Sequence, residues 1–312
     1  MARDATSRRG YASAMPRAAI DIGSNSLLLT IVDDHNRIVH DEARVVGLGR
    51  GLGDRGLMAP DRIRAADEVL TDYVQTARKH GIDPIDIAAV ATSAARRAMN
   101  APTWLQRVQR KLGMRVRIIS GDEEARLTWR GALRDLELPE GPVLVVDLGG
   151  GSTELVLGEE DRVFSTASLE IGSVRMTEKH LGVGVHDPAG LGLLRNEVDI
   201  EIGKLSIHPA PRTVIGVAGT TTTLAAMALG IHRYDSEAIH GARLTRTDLA
   251  RFIDQLLPLP PERRRALAAV SPERADYLLA GAVILERVLA SARRQAYLVS
   301  DRGVRFGLLA EA

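Results

Sequence analysis

Short runs rich in β-branched side chains, with apolar positions recurring every second residue, lie at 17–22, 27–34 and 37–46. That period predicts strands, the last two joined by the turn-like Asp34-His35-Asn36. Pro60 opens an Ala-rich pattern of helical period that runs to 79, with proline where a first turn tolerates it. Further strands are predicted at 87–93 and 115–120, separated by a helix over 101–112. Ser120 followed by Glu123 has the spacing of a capping box, so a helix starts there. Strands follow at 143–148, 153–158 and 162–169, then helices, a strand at 212–218 and a helix over 221–229. The remainder is helical, clearest in ADYLLAGAVILERVLA, before a strand at 296–301 and a closing helix over 303–312.

One element of this pattern occurs twice. AAIDIGSNSLLLTIVDD (18–34) and LVVDLGGGSTELVLGEE (144–160) are each an apolar run ending in Asp, a Gly–Ser turn and a second apolar run. Superposed, Asp21 meets Asp147, Gly23 meets Gly149 and Ser26 meets Ser152. Strands and helices alternate after each copy, which predicts an α/β protein of two similarly built lobes with a cleft between them. The expected division is a disordered tail over 1–15, a first lobe over 16–137 completed by 303–312, and a second lobe over 138–302.

Composition narrows the chemistry. Aromatic residues make up only 3% of the 312, too few for a platform that stacks bases, so no nucleic-acid partner is expected. With 41 basic and 40 acidic residues the net charge is +1, and the basic residues are mostly Arg. There are no cysteines, which excludes disulfides, thiol nucleophiles and Cys-ligated metals and fits a reducing compartment. No apolar run approaches the ~20 residues of a membrane span. The opening MARDATSRRGYASAMPR is polar and unlike a secretory signal, with Met15 a candidate alternative start, so a cytoplasmic location is expected.

In the turn Asp21-Ile-Gly23-Ser24-Asn25-Ser26 the glycine lets successive N–H groups point into one concavity, an anion site. Asp21 at the strand end can hold Mg²⁺, which favours carboxylates together with phosphate oxygens. Gly149, Gly150, Gly151 and Ser152 repeat the cradle, with Asp147 and Glu154 as its acids. A third strand-to-helix turn, VIGVAGTTTTLA (214–225), offers Gly219 and Thr220 at a helix N-terminus, which suits phosphate; four threonines there also suit simple capping. Glu124 and Glu123 share the first turn of one helix, where acids are favoured by the dipole in any case.

These loops, in this order, resemble those of the actin, sugar-kinase and heat-shock ATPase superfamily. Within it the chain resembles the exopolyphosphatase and guanosine pentaphosphate phosphohydrolase (Ppx/GppA) family through DIGSNS, ATSAARRAMN, IISGDEEARLTWRG, VVDLGGGSTELVLG, GTTTTLAAM, YLLAGAVILERVL and SDRGVRFGLL. The resemblance spans residue 20 to about 309 and points to the short, two-domain form. It implies an actin-like (ribonuclease H-like) fold and Mg²⁺-dependent hydrolysis of a terminal phosphoanhydride, with a monovalent cation such as K⁺ as a further candidate and a homodimer as the expected assembly. By motif position it implies that Glu124 is the general base, that Asp147 and Glu154 help hold metal and water, and that Arg96 contacts the chain being shortened. Arg50 in GLGRGL and Phe306 in Arg305-Phe306-Gly307 depart from the family pattern.

The first expectation is therefore an exopolyphosphatase acting on inorganic polyphosphate, and the alternative a guanosine pentaphosphate 5′-phosphohydrolase. A sensor that binds guanosine tetraphosphate and a small-molecule kinase are more remote readings. Arg44, Arg50, Arg62, Arg64, Arg107, Arg110 and Lys111 are candidates for lining a route for a long anion, though such residues more often form a solvated face. His240 and Asp301 are expected to satisfy local structure. Gly51-x-Gly-x-x-Gly56 matches a dinucleotide fingerprint only as a string, because its glycines do not open a helix.

Overall fold

A computed structural model describes residues 15–52, 56–160, 162–268 and 271–311. The expected tail and residues 53–55 of the Gly51–Gly56 string lie outside the described residues, apart from Met15. The first half forms β1 (Arg17–Ile22), β2 (Ser26–Val32), β3 (Ile38–Val45), α1 (Pro60–Lys79), β4 (Ala88–Ala91), α2 (Ser93–Arg97), α3 (Ala101–Leu112), β5 (Val116–Ile118) and α4 (Gly121–Ala132). The second begins with β6 (Val143–Leu148), β7 (Thr153–Glu159), β8 (Arg162–Leu169), α5 (Ser173–Met176), α6 (Pro188–Gly203), β9 (Thr213–Val217) and α7 (Ala218–Leu229). It ends with α8 (Ser236–Ile239), β10 (Arg243–Thr245), α9 (Arg246–Leu256), α10 (Pro261–Leu267), α11 (Leu278–Ser291), β11 (Ala296–Val299) and α12 (Val304–Glu311).

The strands form two sheets, ordered β3-β2-β1-β4-β5 and β10-β11-β9-β6-β7-β8. Read from β8, the second sheet repeats the first and adds β10. In each, an antiparallel hairpin is followed by parallel partners: β1 beside β4 and β4 beside β5, then β6 beside β9 and β9 beside β11. The predicted two-lobed α/β fold is thus built by duplication, and each parallel step is reached through a helical crossover.

Each sheet has its own core. Ile20, Leu29, Leu70, Tyr73 and Trp104 pack behind the first, and Leu144, Val146, Leu224, Leu279 and Ile284 behind the second. Helix α4 belongs to both lobes: Leu127 packs with Val90, Val304 and Leu308, whereas Ala125 and Trp129 pack with Val143, Val145 and Ile215. It lies as a wedge between the sheets. Glycines let α12 close onto it, since a Cβ on Gly307 would stand 2.1 Å from the Leu127 carbonyl oxygen and one on Gly131 2.2 Å from that of Gly303. No helix of the described residues is long and apolar enough to cross a membrane.

Several local expectations shift. Ser120 caps α4 by accepting from the Glu123 N–H at 3.1 Å, but the Glu123 carboxylate accepts from Arg117 at 2.8 Å rather than closing a capping box. Helix α7 begins at Ala218, three residues earlier than its pattern predicts, because Ala218 turns the chain off β9 with φ of 74°. A left-handed alanine is strained, and such residues collect where surrounding structure fixes a functional turn.

Candidate active site

The two hairpin turns are near copies in space. The Gly23 N–H donates to the Ser26 carbonyl at 3.0 Å, and the Gly149 N–H to that of Ser152 at 3.0 Å. They belong to different lobes and meet tip to tip. A Cβ on Gly150 would lie 3.2 Å from Asn25 Cβ, and one on Gly151 would lie 2.9 Å from Ser24 Oγ and 2.8 Å from Ser93 Oγ. A cavity of about 390 Å³ opens beside this contact, its walls including Asp21, Gly23 to Ser26, Glu124, Asp147 and Gly149 to Ser152.

Four carboxyl groups converge behind the turns: Asp21, Glu124, Asp147 and Glu154. The pairing Asp147 to Glu154 across β6–β7 sets two of them side by side in the ladder. Glu124 is carried in by the wedge helix and is 7% exposed, against 1% for Glu154. Burial raises all four, because a charged carboxylate loses its water. Burial, with Glu124 and Asp147 as charged neighbours, pushes Asp21 up to about 8. Glu124 is raised to about 7 by burial, which Arg96 opposes and Asp147 reinforces. Burial raises Asp147 against the Thr128 hydroxyl, which donates to Oδ2 at 2.7 Å. Glu154 is held well above the usual carboxylate range by burial and by Glu124 and Asp147.

Arg96 stands behind the cavity wall rather than in it. Its Nη1 donates to Glu124 Oε2 at 2.5 Å and to the Ile119 carbonyl at 3.1 Å, and Nη2 lies 3.7 Å from Glu154 Oε1. One guanidinium therefore fixes both acids, and Ser168 Oγ donates to Glu154 Oε1 at 2.7 Å from the other side.

The third turn is already covered. Gly219 and Thr220 line the cavity, but a Cβ on Gly219 would fall 1.7 Å from Arg274 Nη1, so the guanidinium of Arg274 rests on that turn. Arg274 Nη2 donates to Ser26 Oγ at 2.8 Å, crossing from the second lobe to the first hairpin. No carboxylate pairs with it among the described residues, and burial lowers its pKa. Sequence reasoning missed this residue, which no spacing relative to the three loops marks. A half-buried guanidinium without an anion, facing two phosphate-type turns, is suited to a phosphate oxygen.

Other expected residues are occupied elsewhere. Arg44 pairs with Glu42 at 2.6 Å and Asp72 at 2.5 Å, and Arg107 with Asp67 at 2.6 Å, so both already have carboxylate partners. Arg50 stacks over Tyr277 at 5.1 Å. His240 Nδ1 lies 3.1 Å from Asp301 Oδ1, a local pairing as expected.

The donor set suits Mg²⁺ in one respect. Among the described residues no three acidic or imidazole side chains form a ready-made cage for a metal. Mg²⁺ seldom uses such a cage; one or two carboxylates with water and substrate phosphates hold it. Asp21 Oδ1 is buried without a hydrogen-bond partner beside Asp147, a carboxylate oxygen that lacks a cation or a donor.

Comparison with known proteins identifies the family of the chain. The chain is 37% identical over 298 residues to exopolyphosphatase 2 of Mycobacterium tuberculosis, covering 89% of this chain and 91% of that protein. The Ppx/GppA family member of Aquifex aeolicus superposes with a TM-score of 0.79 at 34% identity, over 95% of this chain and 97% of the other. An exopolyphosphatase from Cytophaga hutchinsonii superposes with a TM-score of 0.87 at 26% identity, over 95% and 97%. The sequence profile of the Ppx/GppA phosphatase family matches residues 27–312, and the chain belongs to that family.

Proposed function

We propose that this phosphoanhydride hydrolase is a Mg²⁺-dependent exopolyphosphatase of the cytoplasm, releasing terminal phosphate from inorganic polyphosphate. The observation that carries the reading is Glu124, buried between two duplicated phosphate-type turns and fixed there by Arg96 at 2.5 Å. The name of the M. tuberculosis relative supports the substrate. The lobes are residues 16–137 with 303–312, and residues 138–302.

In this mechanism the terminal phosphoryl group lies between the turns. Its oxygens take N–H and hydroxyl donors from 24–26 and 150–152, and Arg274 takes the next phosphate. Phosphoryl transfer needs positioning, charge neutralisation and one proton acceptor. Water attacks phosphorus and gives its proton to the Glu124 carboxylate. The bond to the bridging oxygen breaks, and that oxygen leaves on the shortened chain, so the products are orthophosphate and a chain one phosphate shorter. Asp21, Asp147 and Glu154 would hold Mg²⁺, which when bound would supply charge neutralisation at the phosphate oxygens.

Guanosine pentaphosphate is the second reading, favoured by one observation: Tyr234 and Tyr277 line the same cavity, and aromatic rings suit a base. The test is phosphate release with Mg²⁺ from long polyphosphate and from guanosine pentaphosphate at equal terminal-phosphate concentration. Faster release from polyphosphate is expected. Preference for the nucleotide would transfer the assignment to it, and release from neither would end both readings.

A further inference from the structure

A second cavity, of about 570 Å³, lies on the far side of the hairpin contact. Ser24, Gly150 and Gly151 line both cavities, so the partition between them is the touching tips of the two turns. Those tips come from different lobes. A small separation of the lobes would part Ser24 from Gly151 and join the two spaces.

Two guanidinium groups stand directly behind the partition, in a cavity lined by three basic and four acidic side chains. Arg175 Nε donates to the Gly151 carbonyl at 2.8 Å, and Arg97 Nη2 lies 3.4 Å from where a Gly151 Cβ would stand. Arg97 Nε is buried without a hydrogen-bond partner. The acid nearest these two is Glu170, which pairs with Arg175, lies 4.0 Å from Arg97 and is 57% exposed. The other acids of the cavity have partners: Glu197 has Lys179 and His180 at 2.7 and 2.6 Å, Glu201 has Lys204 at 2.5 Å, and Glu178 accepts from the Gly51 N–H at 3.3 Å.

An enzyme that shortens a chain from its end has a geometric problem. The remaining chain fills the cavity through which the substrate entered, while the orthophosphate just formed lies at the closed end, against the hairpins. We propose that orthophosphate leaves through the second cavity, passing between Ser24 and Gly151 onto Arg97 and Arg175, with the Glu170 carboxylate holding that anion site between turnovers. This rests on the reading that the terminal phosphoryl group lies between the turns. Bidentate guanidinium contacts match a tetrahedral oxyanion. Glu170 limits how tightly the product is held, which a route for passage requires.

Product inhibition tests it. Orthophosphate that binds behind the partition while chain occupies the front inhibits polyphosphate hydrolysis noncompetitively. Arg97→Ala should raise the orthophosphate inhibition constant about ten-fold, the loss of ~1.4 kcal/mol of binding. Glu170→Gln, which removes the competing carboxylate, should lower that constant. Shifts of opposite sign would not follow from a general disturbance of the fold, and the glutamine variant keeps the test if the alanine variant fails to fold. Purely competitive inhibition in the wild type, or a constant that neither variant moves, overturns the exit route while leaving the hydrolase reading intact. Failure of the wild type to release phosphate from polyphosphate would instead remove the reading beneath it.

Discussion

Arg274 Nη2 donates to Ser26 Oγ at 2.8 Å, so two residues separated by 248 positions in sequence join the lobes across the cleft. Arg274→Ala should raise KM for polyphosphate roughly ten-fold or more, since a charge-assisted hydrogen bond contributes about 1.5–3 kcal/mol. Gly219→Ala should do much the same, because its Cβ would occupy the guanidinium's place. Steady-state kinetics of the double variant should show far less than the sum of the two effects, as expected of residues in contact. Full additivity would show that Gly219 does not seat Arg274.

Glu124→Gln removes the proposed proton acceptor and keeps the shape. Phosphate release should fall by about 10²–10⁴-fold, the usual contribution of general base catalysis, with an unchanged circular dichroism spectrum. In the wild type, kcat/KM should rise with pH as Glu124 ionises near 7. Arg96 lowers that value, so Arg96→Gln should move the rising limb to higher pH. A limb that stays in place would show that Arg96 does not set the ionisation of Glu124.

Metal-free stability should decline as pH rises. Asp21, raised from 3.8 to about 8, and Glu124, raised from 4.5 to about 7, both bind protons more tightly folded than unfolded. Their contribution is fully present below the unfolded values and is lost as pH rises through the folded ones, between about 4 and 8. Denaturant midpoints measured across that range with a chelator should fall. Added Mg²⁺ should restore stability most at the alkaline end, where the carboxylates are ionised.

Gly307→Ala should destabilise strongly, because its Cβ would stand 2.1 Å from a backbone oxygen of the wedge helix. The expected cost is roughly 3 kcal/mol, the upper end of overpacking effects. A lower urea midpoint with an unchanged slope would record it, and activity should fall in parallel because α4 carries Glu124.

Much of this was legible before any coordinates. The Asp–Gly–Ser repeat announced two equivalent hairpins, and the structure adds their register, Asp21 opposite Leu28 and Asp147 opposite Glu154. Pro60 and the apolar spacing after it marked α1 to its last residue. What escaped depends on distance in space. Arg274 sits in a short 3₁₀ segment whose sequence says nothing about Ser26. The threonine-rich turn read as an open phosphate site because its cover comes from elsewhere in the chain. Arg97 was indistinguishable in kind from Arg96 until one faced Glu124 and the other the back of Gly151.

The wedge position of α4 bears on when the protein becomes active during its own synthesis. The helix that carries Glu124 leaves the ribosome long before residues 304–311, which cover Leu127 and supply the glycine that α4 packs against. Until α12 emerges, the Leu127 flank of α4 is uncovered, so the nascent chain holds a Glu124 whose position is not yet fixed. Whatever depends on the placing of Glu124 therefore depends as well on residues 304–311, which pack against α4.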